Sequence, residues 1–63
     1  MEEKELVLAE VRELIGETVS TLWGPSKVEE VIQDENGEWY VNLLENGEEP
    51  FVIRLNDWHI SLL

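Results

Sequence analysis

Apolar residues in the first third of the chain recur at the spacing of an α-helix. On a wheel of about 100° per residue, one arc of about 140° holds Val7, Leu8, Val11, Leu14, Ile15, Thr18, Val19 and Leu22. This pattern predicts an amphipathic helix over about residues 3–22. Because Gly16 and the run 18–21 are poor helix formers, the alternative is a helix that stops at Ile15 and a strand over 17–23. Pro25 ends either version, since it disfavours helix at the residue before it.

After Pro25 the apolar period changes from 3.6 to 2, which is typical of strands. Residues 28–33, 38–45 and 51–55 are predicted strands, separated by Asn36-Gly37 and Asn46-Gly47, which are strong hairpin signals. The tail 56–63 begins with turn residues and then alternates, so that Trp58, Ile60 and Leu62 would share a face. It is predicted to be a short fourth strand or a docked tail.

The hairpin turns predict which residues face each other. A two-residue turn at Asn36-Gly37 would place Ile32 opposite Val41. A loop of residues 46–48 would pair Leu43 with Phe51, Val41 with Ile53 and Trp39 with Leu55, which keeps the large apolar residues on one face. The predicted core face, covered by the helix, is Val28, Ile32, Trp39, Val41, Leu43, Phe51, Ile53 and Leu55.

These elements predict one α+β domain over residues 1–63, in which an N-terminal amphipathic helix packs on a three- to four-stranded antiparallel β-meander. The opposite face, called here the outer sheet face, is predicted to carry Val31, Tyr40, Asn42, Leu44, Val52 and Arg54. A single helix covers only one face of a sheet, so this apolar surface would be exposed in a monomer. A homodimer, a different protein partner, or the tail folded across the face would each cover it.

Charge limits the possible partners. The chain has 15 Asp and Glu residues against 4 Lys and Arg, for a formal net charge of -11. Direct binding to nucleic acid or to an anionic membrane surface is not expected, because both need cationic side chains. Acidic residues form a predicted stripe on the helix, extended by the neighbouring strand and turn: Glu3, Glu10, Glu13 and Glu17, then Glu29, Glu30, Asp34 and Glu35. Such a surface either solubilises the protein or docks on a basic groove of a partner.

Few residues could carry catalysis. The chain has no Cys and a single His, and its hydroxyl residues lack a nucleophile–base pattern. Asp57 and His59 could offer two metal ligands, fewer than a zinc site needs, so His59 is placed on the outer face of the last strand. The glycines are scattered without a phosphate-binding pattern. We therefore expect no enzyme activity, no metal and no cofactor.

The sequence also bears on location. The longest apolar run is Leu6–Ala9, far shorter than the roughly 20 residues of a membrane span. The N-terminus is acidic, where a signal peptide would be basic. These features predict a cytoplasmic protein.

Two segments carry a resemblance to a known family. A helix followed by V-E-E-V-I-Q-D-E-N-G-E-W-Y-V (28–41), a glycine turn and F-V-I-R-L-N-D-W-H-I (51–60) resembles the αβββ plan of PepSY-type modules. Residues 37–41 are also similar to the "G-W-x-V" strand of the gas-vesicle accessory family O. The resemblance implies a non-catalytic binding or inhibitory module.

Together these features predict a non-enzymatic, acidic protein-interaction module. The more specific hypothesis is a small inhibitor that mimics nucleic acid and occupies a basic surface of its partner. Glu10, Glu13 and Glu17 would supply charge, and the outer sheet face would supply contact area through Tyr40, Leu44 and Arg54. The alternative is a structural subunit that forms a homo-oligomer through the outer sheet face.

Overall fold

An N-terminal helix and a four-stranded antiparallel sheet form the protein in a computed structural model, which describes residues 3–63 and only the backbone of Glu3. The elements are α1 (Glu3–Glu13), β1 (Thr18–Thr21), β2 (Gly24–Gln33), β3 (Trp39–Glu45) and β4 (Glu49–Arg54), followed by a 3-10 turn (Leu55–Asp57) and the short helix α2 (Trp58–Ser61). The strands lie in the order β1-β2-β3-β4. The predicted α+β class and antiparallel meander are confirmed. In the described part of the chain, no helix has the length and apolar character needed to cross a membrane.

The predicted extension of the first helix to residue 22 is wrong, because α1 ends at Glu13 and the following residues enter the sheet. Gly16 adopts φ 91°, a left-handed conformation that ends the helix. Its backbone N–H donates to the Val28 carbonyl at 2.7 Å, and the Val28 N–H donates to the Glu17 carbonyl at 2.9 Å. The β-branched run 18–21 then pairs with β2, as the alternative prediction proposed.

The predicted register of the first hairpin is also wrong by one residue. Val31, not Ile32, pairs with Val41, because the loop holds residues 35–37 and Asp34 hydrogen-bonds to Glu38 through the backbone at 3.0 Å. Ile32 therefore leaves the predicted core face and is 40% exposed. Val31 leaves the predicted outer sheet face and packs against the core.

A bulge in β2 explains how Val28 remains in the core. Val28 pairs with Leu43 while Glu30 pairs with Asn42, so β2 contains one extra residue at this point. Residues three apart on a regular strand point to opposite faces, and the extra residue restores Val28 and Val31 to the same face.

The second hairpin confirms the predicted loop 46–48 and the pairs Leu43 with Phe51 and Val41 with Ile53. Asn46 and Gly47 take positive φ values of 54° and 75° in the turn. The predicted pair of Trp39 with Leu55 is not part of this ladder, because β4 ends at Arg54 and Leu55 begins the 3-10 turn.

The core lies between the sheet, α1 and the tail. Its buried apolar residues are Val7, Val11, Val28, Val41, Leu43, Leu55 and Trp58, with Trp39, Phe51 and Ile53 packed against them. Of the predicted helix face beyond the end of α1, Ile15 and Leu22 are exposed, whereas Leu14 and Val19 pack against the core. Arg12 Cζ lies over the Trp39 ring at 5.6 Å from its centroid, a cation–π arrangement.

The tail packs against the rest of the protein, as one of the two predictions proposed, but it does not form a regular strand with alternating side chains. Trp58 is fully buried on α2, whereas Ile60 is 72% exposed, so the two do not share a face. Leu62 forms an antiparallel bridge with Thr21, and the Leu22 N–H donates to the Ser61 carbonyl at 2.9 Å. The tail is thereby fixed to β1 on the core side of the sheet.

Candidate interaction surfaces

Two of the predicted acidic residues lie on α1. Glu10 and Glu13 are both exposed. His59 Nε2 donates a hydrogen bond to Glu10 Oε2 at 2.8 Å, which links α2 to α1. His59 is therefore beside α1, and its predicted place on the outer face of a last strand is wrong.

Glu17 does not belong to the helical stripe, because α1 ends four residues earlier. It is exposed in the connection to β1, where its backbone carbonyl accepts the Val28 N–H. The side chain of Glu3 lies outside the described part of the structure. The continuous helical stripe predicted from the wheel is thus replaced by Glu10 and Glu13 on α1 and Glu17 on a separate segment.

Most of the described acids carry unneutralised charge. Among residues 4–63, the hydrogen bond between Glu10 and His59 is the single close contact between an acidic and a basic side chain. The net charge of -11 is therefore present at the surface mainly as unpaired carboxylates. A surface of this kind attracts cationic partners over distances of about one Debye length.

The predicted contact residues of the sheet do share the outer sheet face. Tyr40 pairs with Arg54, Asn42 with Val52 and Leu44 with Pro50, so these side chains alternate with those of the core. Ile32 joins them through its pairing with Tyr40. Both α1 and the tail pack against the other side.

Tyr40 is held by the first hairpin. Its hydroxyl donates to Asp34 Oδ2 at 3.2 Å, while Asp34 Oδ1 accepts the backbone N–H groups of Asn36 and Glu38, each at 2.9 Å. The Glu38 N–H does most to hold the pKa of Asp34 below its ordinary value of 3.8, assisted by Asn36 and Tyr40 against the opposing effect of desolvation. Desolvation, followed by the hydrogen bond to Asp34, raises the pKa of Tyr40 above its ordinary value of 10.0.

A groove that the sequence pattern does not predict runs beside β4. We call it the seam groove: it has a volume of about 460 Å³ and is bordered by Leu22, Trp23, Val52, Arg54, Asp57 and Ile60, with Ile53 and Ser61. The large apolar side chains at its border are exposed, Leu22 by 60%, Trp23 by 48% and Val52 by 50%. The groove lies between β4 on one side and the β1–β2 turn and α2 on the other.

A second recess of about 170 Å³ continues along β4 from the seam groove. It is bordered by Trp23, Glu45, Glu49, Pro50 and Phe51. Trp23 therefore borders both cavities. Its ring meets Phe51 edge-on, with centroids 5.3 Å apart and planes at 61°.

Hydroxyl groups fix the turn that carries Trp23. Thr21 Oγ1 donates to the Gly24 carbonyl at 2.8 Å and accepts the Trp23 N–H at 3.2 Å. Ser26 Oγ lies 3.1 Å from Thr21 Oγ1, and both residues are buried. The polar sequence of β1 and the start of β2 thus builds a rigid support for an exposed aromatic ring. The signal that could have found it is the Leu-Trp-Gly-Pro turn, in the alternative where residues 17–23 form a strand.

No cluster of three or more His, Cys, Asp or Glu side chains suited to a metal ion occurs within the described residues. His59 also borders a recess of about 280 Å³ with Lys4, Val7, Leu55 and Asn56. Its partner Glu10 is the nearest acid, and the pair joins two helices at the surface.

Comparison with family profiles, with curated proteins and with solved structures finds no match to this chain. The resemblance to PepSY-type modules therefore stays a prediction.

Proposed function

We propose that this protein is an acidic interaction module that binds to a basic surface of a partner protein. The observation that carries the proposal is the excess of exposed carboxylates, of which only Glu10 contacts a basic side chain among the described residues. Unpaired acids at this density speed association with a cationic surface of the partner. Once bound, they compete with other polyanions for that surface.

In its more specific form, the module is an inhibitor that occupies a nucleic-acid-binding surface of the partner. The net charge of -11 on a 7.3 kDa chain supports competition with a phosphate backbone for the same cations. Glu13 and Glu17 supply charge that is free for a partner, whereas Glu10 is shared with His59. Tyr40, Leu44 and Arg54 supply contact area on the outer sheet face.

The test is capture of binding proteins on the immobilised chain at low salt, followed by affinity measurements on each captured protein. We expect a basic protein whose affinity falls steeply as salt rises and whose nucleic-acid binding is inhibited by this chain. The double variant Glu13→Gln and Glu17→Gln should weaken binding more than the control Glu5→Gln and Glu48→Gln, which changes the net charge equally. Salt-independent affinity, or equal effects of the two double variants, would contradict the proposal.

A homo-oligomer through the outer sheet face is the second candidate. It is favoured by the observation that α1 and the tail both pack on the core side, which leaves Ile32, Leu44 and Val52 without a covering element among the described residues. Sedimentation would then give a mass above 7.3 kDa, and Leu44→Glu would restore that mass to 7.3 kDa. A mass of 7.3 kDa at every concentration would exclude it.

A further inference from the structure

The free edge of β4 lies open beside the seam groove. β4 pairs with β3 on one side only, and the tail that could have paired with its other side bridges to β1 instead. Among the described residues, no backbone hydrogen bond joins the tail to Glu49–Arg54. An open edge of this kind presents N–H and C=O groups to an added strand.

The surface beside this edge suits an added strand, whose side chains alternate in direction along its length. β4 is six residues long, or about 20 Å, and the two cavities follow it from Glu49 to Arg54. The seam groove offers exposed apolar surface from Leu22, Val52 and Ile60. Edge strands are usually protected by charge or by Pro, and here Glu49, Pro50 and Arg54 offer that protection only at the two ends of the strand.

Charge along the edge favours a cationic occupant. Glu45 and Glu49 lie opposite each other in the ladder and border the smaller recess together with Trp23. Asp57 borders the far end, and Arg54 is the one cation that borders either cavity. A Lys or Arg side chain between the two glutamates could also lie against the exposed Trp23 ring, an arrangement that stabilises cations.

We infer that an extended basic segment of the partner adds as a strand along β4. Its apolar side chains would lie on Leu22, Val52 and Ile60, and a cationic side chain would lie between Glu45 and Glu49 against Trp23. The inference rests on the proposed function in one respect, that the partner is basic. The inference adds two points to the proposed function. The binding site is the seam groove and not the outer sheet face alone, and the ligand is an extended strand.

A second copy of this chain suits the edge less well than a basic segment. Each copy carries a net charge of -11, so pairing two β4 strands would bring two strongly negative chains together. A basic segment removes that repulsion and also relieves the like-charge pair of Glu45 and Glu49.

The test is the affinity of the full chain for a short fluorescent peptide of alternating lysine and valine, measured by anisotropy. A lysine–glycine peptide of equal length and charge is the control for general electrostatic attraction. Two protein variants with the same charge change separate the seam groove from the rest of the outer sheet face: Val52→Lys lies on that face and borders the groove, whereas Ile32→Lys lies on the same face two strands away. Ile60→Ser removes apolar surface from the tail side without a change in charge.

We expect the lysine–valine peptide to bind about tenfold more tightly than the lysine–glycine peptide. Val52→Lys should then weaken binding by about tenfold and Ile60→Ser by about threefold, while Ile32→Lys should change it by less than about threefold. Equal affinities for the two peptides, or equal losses in Val52→Lys and Ile32→Lys, would overturn the seam groove as the site. The capture experiment measures the attraction of basic partners independently, so that result would leave the proposed function standing. A mass that doubles with concentration and returns to 7.3 kDa in Val52→Lys would replace the basic segment by a second copy and overturn the inference.

Discussion

Glu45 and Glu49 occupy directly opposite positions at the end of the β3–β4 hairpin, and both border the recess beside Trp23. Opposed like charges destabilise a hairpin, whereas an opposed acid and base stabilise it by about 0.2–1 kcal/mol. The pair therefore lowers the stability of the free protein at a position where a cationic ligand would gain affinity.

Replacing one of these glutamates should stabilise the unbound protein. We expect Glu49→Lys to raise the free energy of unfolding by up to about 1 kcal/mol in urea denaturation. Glu48→Lys makes the same change in net charge within the loop 46–48, where no residue lies opposite it. Its smaller effect would separate the local pair from general charge repulsion, and equal effects of the two variants would contradict the role of the pair.

Gly16→Ala tests where the first helix ends. Gly16 has φ 91°, and an added Cβ would meet nothing within 4 Å, so the cost is that of the backbone conformation alone. We expect a loss of about 1 kcal/mol or more in the free energy of unfolding. A helix that continued through this position would instead gain about 1 kcal/mol from the same change. The sign of the change in stability therefore decides whether the helix ends before Gly16. Ala9→Gly, at an exposed position within α1, is a control that should destabilise the protein in either case.

The error at Gly16 shows what the sequence could and could not predict. Helical spacing continued past Gly16 by coincidence, and the decisive interactions are the hydrogen bonds to Val28, a residue distant in sequence. The low helix propensity of residues 18–21 favoured the alternative prediction, in which residues 17–23 form a strand. Local patterns thus predicted the elements, while a long-range contact placed the boundary.

The register error has a different cause. Asn36-Gly37 predicted a two-residue turn, but the Asp34 carboxylate binds the Asn36 and Glu38 N–H groups and favours the longer loop. The bulge between Val28 and Glu30 then compensates for the shift on the core side. In the part of the chain that the structure describes, the second hairpin has no side chain that binds its loop as Asp34 does, and its predicted loop 46–48 is confirmed.

Removing the charge of Asp34 should affect stability in a pH-dependent way. Its pKa is lowered in the folded state, so its contribution is present above the ordinary value of 3.8 and is lost as the pH falls through the folded-state pKa. We expect Asp34→Asn to be less stable than the parent protein at neutral pH, and the difference to shrink as the pH falls below 3.8. Thermal unfolding across this range measures it. Glu35→Gln alters a neighbour that makes no hydrogen bond among the described residues, and a difference of equal size there would contradict the assignment.

Trp58 is the largest fully buried side chain, and its indole Nε1 has no acceptor among the described residues. Trp58→Phe removes no protein hydrogen bond and still fills most of the ring's volume, so we expect it to cost less than Trp58→Ala, for which about 3–5 kcal/mol is typical. Urea denaturation of both variants gives the comparison. Losses of similar size would show that the indole N–H is satisfied in solution.

The candidate site was predicted in part. Alternation along β3 and β4 placed Tyr40, Leu44 and Arg54 on one face, because the period of a strand is local. The seam groove depends on the return of the tail to β1, through Ser61 and Leu62, and nothing in the spacing of the tail indicated that partner. Its exposed Trp23 could be recognised only once the turn between β1 and β2 was known.

The most direct test of the account is a map of amide chemical shifts in the isotope-labelled protein as the lysine–valine peptide is added. If the peptide adds as a strand along β4, the largest changes occur at Glu49–Arg54 and at the Trp23 indole, together with slower hydrogen exchange along β4. Changes confined to α1 or to the region of Ile32 and Tyr40, with β4 unaffected, would contradict it.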